Sequence, residues 1–135
     1  MTIHAEVARI FDRYPAAPQK ALYQLRALIL EVAKKENVDC VESLKWGEAS
    51  YACPQGSPVR IDWKEKHPKS ISLYFNCNTS IVETIRALMG DRLDCVGNRE
   101  IKLPLEQALP QDDLQLCLTM AMTYKKIKHL PLLGF

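Results

Sequence analysis

Apolar residues recur at helical spacing in two segments near the start of the chain. Residues 2–13 and 18–36 place hydrophobic side chains three or four positions apart, the pattern of an amphipathic helix. Tyr14-Pro15 separates the two segments, because proline disfavours helical geometry in the residue before it. Thr2 and Pro18 are therefore expected at the two helix starts, and the helices are expected to pack as a hairpin.

Two further helices are predicted in the second half of the chain. Ser80 and Glu83 have the spacing of a capping box, which predicts a helix that begins at Ser80 and ends at Gly90. A longer helix is expected to begin at Pro110 and to end near His129. Its first turn is acidic and its last turn is basic, and both charges suit the helix dipole.

Apolar and polar residues alternate in the middle of the chain, which predicts β-strands. The segments concerned are residues 50–53, 59–64, 71–76, 93–96 and 99–103, the last two joined by a hairpin turn at Gly97-Asn98. Residues 38–45 show a mixed pattern, which fits either a short helix or an irregular segment that ends at Trp46-Gly47.

The element order is therefore α-α-β-β-β-α-β-β-α. Strands follow one another in runs, which is typical of an α+β fold with helices packed on one face of a five-stranded antiparallel sheet. The alternation places Val59, Ile61, Trp63, Ile71, Leu73 and Phe75 on the buried face. The opposite face then carries Arg60, Asp62, Lys64, Ser72, Tyr74 and Asn76.

Composition narrows the class of protein. The 135 residues fit a single domain, residues 1–135, and 47% hydrophobic with 25% charged residues is typical of a globular chain. A formal net charge of +2 gives no reason to expect nucleic-acid binding. We find no signal-peptide pattern and no apolar stretch of membrane-spanning length, so a cytoplasmic location is expected. The pattern leaves monomer and small homo-oligomer open.

The five cysteines form no metal-binding or redox motif. Cys40 and Cys53, the closest pair, are 13 residues apart. Cys77, Cys95 and Cys117 continue apolar patterns, so we expect reduced and buried thiols without a catalytic role.

A first candidate site is the segment around Trp46. Trp46, Glu48 and Tyr51 would combine two amphipathic rings with a carboxylate in one pocket. The alternative, which we favour here, is a Trp46 ring buried in the seam between helices and sheet. On that alternative Trp46→Ala would cost about 3–5 kcal/mol.

The polar sheet face is a second candidate. Arg60, Asp62, Tyr74 and Asn76 together could hold an anionic or aromatic ligand, whereas the alternative is a solvated face with cross-strand charge pairs. Arg99, in the predicted hairpin, is a further ligand-binding candidate, but its sequence neighbourhood offers no partner anion.

Metal and catalytic motifs are not found in the sequence. His4, His67 and His129 are scattered, and the close carboxylate pairs are too few for a hard cation. No phosphate loop or nucleophile motif occurs. We therefore expect no catalytic residue, no metal site and no cofactor.

Several motifs in order resemble the YdhG-like family of small bacterial domains of unknown function. They are Tyr14-Pro15, Leu25-Arg26, Glu42 with Trp46-Gly47 and Tyr51, the stretch at residues 60–64, and the stretches at residues 74–77 and 97–101. The likeness covers about residues 14–128, and Ala49 stands where that family usually has proline. It implies helices against an antiparallel sheet and no established activity.

One branch of that family has been likened to frataxin and proposed as an iron chaperone. Iron handling of that type relies on an acidic helical ridge, whereas acidic and basic residues alternate here in residues 2–36. We therefore expect weak or no binding of ferrous iron. The leading hypothesis is a non-catalytic ligand-binding or accessory protein whose partner is a small molecule or a protein. The alternatives are an enzyme acting on a small anionic metabolite and a frataxin-like iron chaperone.

Overall fold

The computed structural model describes residues 2–135. Its helices are α1 (Ala5–Asp12), α2 (Ala16–Lys35), α3 (Ile81–Met89), α4 (Gln111–Met122) and α5 (Tyr124–Ile127), with short 3-10 turns at Gly90–Arg92 and Pro131–Gly134. Its strands are β1 (Val41–Lys45), β2 (Glu48–Ala52), β3 (Val59–Trp63), β4 (Ser70–Tyr74), β5 (Asp94–Val96) and β6 (Glu100–Pro104). The α+β class is confirmed.

All strand pairs are antiparallel and form one sheet in the order β1-β2-β3-β4-β6-β5. The sheet has six strands, so the prediction of five was wrong. The additional strand is β1, which the sequence suggested as a short helix or an irregular segment. Its alternation is hard to recognise because one of its inward-facing residues is Glu42, a carboxylate. Trp46-Gly47 is the two-residue turn that joins β1 to β2.

The helices cover one face of the sheet, which we call the inner face. Across β2, β3, β4 and β6, Ala49, Ile61, Leu73 and Ile101 lie side by side, and each is at most 1% exposed. Helix α2 packs against β3 and β4 and also against α4. Its buried stripe includes Leu22, Leu25, Ile29 and Val32, which have the spacing that brings one helical face onto the core.

Two predicted helix starts differ from the structure in how they are capped. Helix α1 begins at Ala5, and the imidazole of His4, not Thr2, accepts the hydrogen bond from the first turn. Helix α3 follows Ser80 as predicted, but the Ser80 side chain makes no capping bond. The amide of Ile81 donates instead to the hydroxyl of Thr79, at 3.4 Å.

The last long helix ends at Met122, and the prediction that it continues to His129 was wrong. The loop between β2 and β3 interrupts it. The amide of Ser57 donates to the carbonyl of Ala121, and the amide of Lys125 donates to the carbonyl of Gln55. Ala121 and Lys125 would otherwise bond to each other in a continuous helix, so the chain turns at Thr123 and resumes as α5.

The cysteines are all free thiols, but they are not all buried. Cys53 and Cys117 are buried and Cys40 and Cys95 are half-buried, whereas Cys77 is exposed. The prediction of a buried Cys77 was wrong because β4 ends at Tyr74, so the strand alternation stops before residue 77. Within residues 2–135, no helix combines the length and the apolar character needed to cross a membrane.

Candidate ligand-binding cleft

The sheet face turned away from the helices, here called the outer face, carries one continuous polar row. Strand register places Ser43 opposite Ser50, Ser50 opposite Arg60, and Arg60 opposite Tyr74. The row therefore runs across β1, β2, β3 and β4. Arg60 and Tyr74 were predicted to point away from the core, and the register confirms this.

A cleft of about 500 Å³ lies over this row. Its walls carry Ser43, Lys45, Trp46, Ser50, Ala52, Pro58, Arg60, Tyr74, Phe75, Asn76, Cys77 and Arg99. The charged members of this set are Lys45, Arg60 and Arg99, all of them cations, and no carboxylate is among the lining residues. A volume of this size is in the range of small-molecule sites, which is about 300–1,000 Å³.

The floor of the cleft is buried although it is polar. Ser50 is 3% exposed and Tyr74 is 8% exposed, so the alternative of a solvated sheet face does not hold for Tyr74. Among the described residues, the Ser50 side chain has no hydrogen-bond partner. No fully buried side-chain polar atom among the described residues lacks a hydrogen-bond partner, so the Ser50 hydroxyl, which makes no such bond, opens onto the cleft and is available to a ligand.

Arg60 is held in place from beside the cleft. Its Nε donates to Glu48 Oε1 at 2.8 Å, and Lys64 Nζ donates to Glu48 Oε2 at 2.7 Å. Lys64 also donates to Asp62 Oδ2 at 2.7 Å. Within the part of the chain described, Arg60 makes its hydrogen bond through Nε alone, so its two terminal nitrogens remain for a ligand.

Asp62 links this network to the helical layer. The hydroxyl of Tyr14, in the link between α1 and α2, donates to Asp62, and its ring packs on Trp63. Burial, and then the hydrogen bond to Asp62, raise the pKa of Tyr14 far above its usual value. Burial alone would lower the pKa of Lys64, but the hydrogen bonds to Asp62 and Glu48 outweigh it and raise that pKa. Both groups stay protonated at neutral pH.

Arg99 and Lys45 bring positive charge to the cleft that is not held in an ion pair. The guanidinium carbon of Arg99 lies 6.0 Å from the centre of the Tyr74 ring, a cation–π arrangement. Neither Arg99 nor Lys45 has an ion-pair partner among residues 2–135. Surface cations are usually solvated or paired, so two unpaired cations beside Arg60 make this cleft an anion-attracting surface.

Trp46 is 90% exposed, and the expectation that it is buried was wrong. It occupies the first position of the β1–β2 turn with φ +53°, followed by Gly47 with φ +75°. Positive φ at both positions defines the type I′ hairpin turn, which favours asparagine or glycine. Tryptophan at such a position is strained, and a strained, exposed aromatic residue at a cleft rim is a reason to look for function.

The structure brings together most of the residues predicted for ligand binding. Trp46, Arg60, Tyr74, Asn76 and Arg99 line the cleft. Glu48 and Asp62 lie beside it on the same face, where they hold Arg60 and Lys64.

Tyr51 does not belong to this group. It is 2% exposed on the inner face, and its hydroxyl donates to Glu42 Oε2 at 2.7 Å. One residue separates Tyr51 from the outward-facing Ser50, so strand alternation sends its side chain to the opposite face.

The sequence did not predict the residues that β1 and the chain beyond β4 contribute to the lining of the cleft. Ser43 and Lys45 come from the unpredicted strand, and Ser50 was not singled out because a lone serine carries no signal. Cys77 was expected in the core. Recognising Trp46-Gly47 as a hairpin turn would have predicted the Ser43–Ser50 pair.

The described residues contain no cluster of three or more histidine, cysteine, aspartate or glutamate side chains that could hold a metal ion. Both carboxylate oxygens of Glu42 are already engaged: Oε1 accepts from the His4 amide and Oε2 accepts from Arg26 and Tyr51.

Comparison with models of protein families, with curated proteins and with solved structures finds no match. The YdhG-like resemblance therefore stays an expectation from the sequence motifs, and function has to be argued from the geometry of the cleft.

Proposed function

We propose that this chain is a non-catalytic binding protein for a small anionic molecule, held in the outer-face cleft. The observation that carries the proposal is the charge of the lining: Lys45, Arg60 and Arg99 meet there, and among the described residues only Arg60 of the three is paired with a carboxylate, that of Glu48. The Ser50 hydroxyl adds an uncharged donor at the floor of the cleft.

The preorganisation of Arg60 supports the same proposal. Because Glu48 fixes the guanidinium through Nε, little side-chain freedom would be lost when the terminal nitrogens bind an anion. Hydrogen bonds between ionised partners each contribute about 1.5–3 kcal/mol. Two or three such bonds contribute about 3–9 kcal/mol, from which an association cost of at least about 4 kcal/mol is subtracted, so we expect binding of about millimolar strength from these bonds alone.

The protonation states beside the cleft favour binding over catalysis. A general base or nucleophile needs a pKa near the working pH, and lysine or tyrosine reaches it only when the pKa is lowered. The pKa values of Lys64 and Tyr14 are raised instead. Neither Lys64 nor Tyr14 is therefore poised to act as a general base or nucleophile.

The iron-chaperone alternative has no comparable support. Glu42, the acidic residue of the resembled motif, accepts hydrogen bonds from Arg26 and Tyr51, and no cluster of metal-ligating side chains occurs among residues 2–135. Membership of the YdhG-like family and a cytoplasmic location remain parts of this proposal, and the five free thiols support a reducing compartment.

A thermal-shift screen against small anions tests the proposal, because a ligand that binds the native state raises its melting temperature. The panel would contain mono-, di- and tricarboxylates, inorganic phosphate, and sugar and nucleoside phosphates, at constant ionic strength. We expect a subset of multivalent anions to stabilise the wild-type protein, and the Lys45→Gln/Arg99→Gln double variant to lose the effect.

Arg92→Gln is the matched control for the charge change. Arg92 pairs with Asp113 on another surface, so its loss should leave anion stabilisation intact. Equal stabilisation of the wild-type protein and the double variant, or no response to any anion, would refute the proposed function.

A further inference from the structure

The two sides of the cleft differ in chemistry: one carries an aromatic ring and the other carries a cation. Trp46 belongs to the turn between β1 and β2, whereas Arg99 stacks on Tyr74 beside β4. Four neighbouring strands span roughly 14 Å at their usual spacing. A ligand that reached both sides would therefore be an extended molecule with two distinct parts.

The cationic side suits a phosphate monoester. The terminal nitrogens of Arg60 and the guanidinium of Arg99 provide planar, multiply donating groups, which match phosphate oxygens better than lysine does. Ser50 and its cross-strand neighbour Ser43 add hydroxyl donors on the floor. A doubly charged phosphate monoester can accept hydrogen bonds from two guanidinium groups at once, whereas a single carboxylate is satisfied by one.

The Trp46 side suits a planar ring. At 90% exposure the indole contributes little to the core, and it occupies a turn position with φ +53° where glycine or asparagine would be less strained. A flat aromatic face at the rim of a polar cleft is the usual platform for stacking a base.

Resting on the proposed function, we infer that the ligand is a phosphate monoester joined to a planar heterocycle, in the manner of a mononucleotide. The phosphate lies between Arg60 and Arg99 over the Ser50 hydroxyl, and the ring stacks on Trp46. The sugar, or another linker, crosses the polar row between them.

Titration calorimetry with three related probes tests the inference. AMP carries both parts, ribose 5-phosphate carries the phosphate without the ring, and adenosine carries the ring without the phosphate. We expect AMP to bind at least about fivefold more tightly than either fragment, since base stacking on an aromatic residue is typically worth about fivefold to a hundredfold.

Variants separate the two contributions. Trp46→Ala should remove the advantage of AMP over ribose 5-phosphate while leaving ribose 5-phosphate binding unchanged, and Trp46→Phe should retain most of the advantage. Arg99→Gln should weaken the binding of both AMP and ribose 5-phosphate, and the ratio of their two affinities should stay the same.

The possible failures are distinguishable. Equal binding of AMP and ribose 5-phosphate, unaffected by Trp46→Ala, would overturn the ring stacking and leave anion binding in place. Stabilisation by carboxylates alone, with no binding of AMP or ribose 5-phosphate, would overturn the phosphate assignment. No binding of any anion would overturn the proposed function as well.

Discussion

The amide of Phe75 donates a hydrogen bond to the carbonyl of Arg99, with nitrogen and oxygen 2.6 Å apart. This bond ties the loop between β5 and β6 to the chain that leaves β4. The Arg99 guanidinium is thereby held over the Tyr74 ring at the side of the cleft. Arg60 in β3 and Lys45 in β1 join it from distant parts of the sequence.

Trp46→Ala is expected to change the free energy of unfolding by less than about 1 kcal/mol, because the indole buries little apolar surface. Trp46→Asn is expected to be neutral or to stabilise by about 0.5 kcal/mol, since asparagine tolerates positive φ in a type I′ turn. Urea denaturation measures both. A loss of 3 kcal/mol or more for Trp46→Ala would mean that the ring is packed, contrary to the structure.

The ion pair between Arg26 and Glu42 is expected to stabilise the junction of α2 and β1. The Glu42 side chain is 1% exposed, and Nε–Oε2 is 2.7 Å. Glu42→Ala should cost about 3 kcal/mol, because it removes a buried carboxylate that accepts hydrogen bonds from Arg26, the His4 amide and Tyr51. The control is Glu31→Ala, whose pair with Lys35 is more than half exposed and should cost about 0.5 kcal/mol or less. Similar costs for the two variants in chemical denaturation would contradict this.

The same ion pair predicts a loss of stability in acid. Burial alone would raise the pKa of Glu42, but the hydrogen bonds from Arg26, the His4 amide and Tyr51 outweigh it and lower the pKa below the ordinary 4.5. The unfolded chain therefore binds the proton more tightly, and the stabilisation is fully present above about pH 4.5 and lost as pH falls through the lowered value. Denaturation of wild type and Glu42→Gln should converge as the pH is lowered through that window. A constant difference down to pH 2 would contradict this prediction.

Gly56 is expected to be a sensitive position because the β2–β3 loop lies directly on the end of α4. A Cβ at residue 56 would stand 2.6 Å from the Ala121 carbonyl oxygen and 2.8 Å from the Met122 carbonyl oxygen, both backbone atoms. Gly56→Ala should therefore cost about 2–3 kcal/mol by overpacking. Gly47→Ala is the control: no atom lies within 4 Å, so only the positive φ is penalised, at about 1–2 kcal/mol. A Gly56→Ala variant as stable as wild type would show that the loop is not docked this closely.

Cys77 is expected to be the thiol that iodoacetamide alkylates first. It is exposed and lines the cleft, whereas burial raises the pKa of Cys117 to about 12 and keeps that thiol protonated. Mass spectrometry of tryptic peptides identifies the first adduct, and Cys77→Ser should remove it. An anion bound in the cleft should slow the reaction. Faster labelling of Cys53 or Cys117 would contradict the burial in the structure.

Sequence periodicity predicted most of the fold because most elements follow simple patterns. The alternation in β3 and β4 correctly separated Ile61 and Leu73 from Arg60 and Tyr74. It failed at β1, where Glu42 lies inside, and at α4, where hydrogen bonds from a distant loop end the helix. The spacing of residues along the chain predicts neither which residues will pair with a buried carboxylate nor where a distant loop will dock.

The candidate site was predictable only in part for the same reason. Arg60 and Tyr74 follow from strand alternation, but Asn76 lies beyond the end of β4, and Ser43 and Lys45 depend on recognising β1. That Arg99 has no ion-pair partner among the described residues depends on the tertiary structure, because the strands next to it come from distant parts of the sequence. Trp46 was predicted in the wrong environment because tryptophan is usually buried, and its exposure is now the strongest sign of a site at that turn.

The most direct test of an anion site on the outer face is a titration of the ¹⁵N-labelled protein with inorganic phosphate, followed by amide chemical shifts at constant pH and ionic strength. We predict saturable shifts that concentrate on Ser43, Ser50, Arg60, Asn76 and Arg99, with α1 and α2 unaffected and with the shifts abolished in Lys45→Gln/Arg99→Gln. Shifts that map to another surface, or that rise linearly without saturation and persist in that variant, would contradict the account.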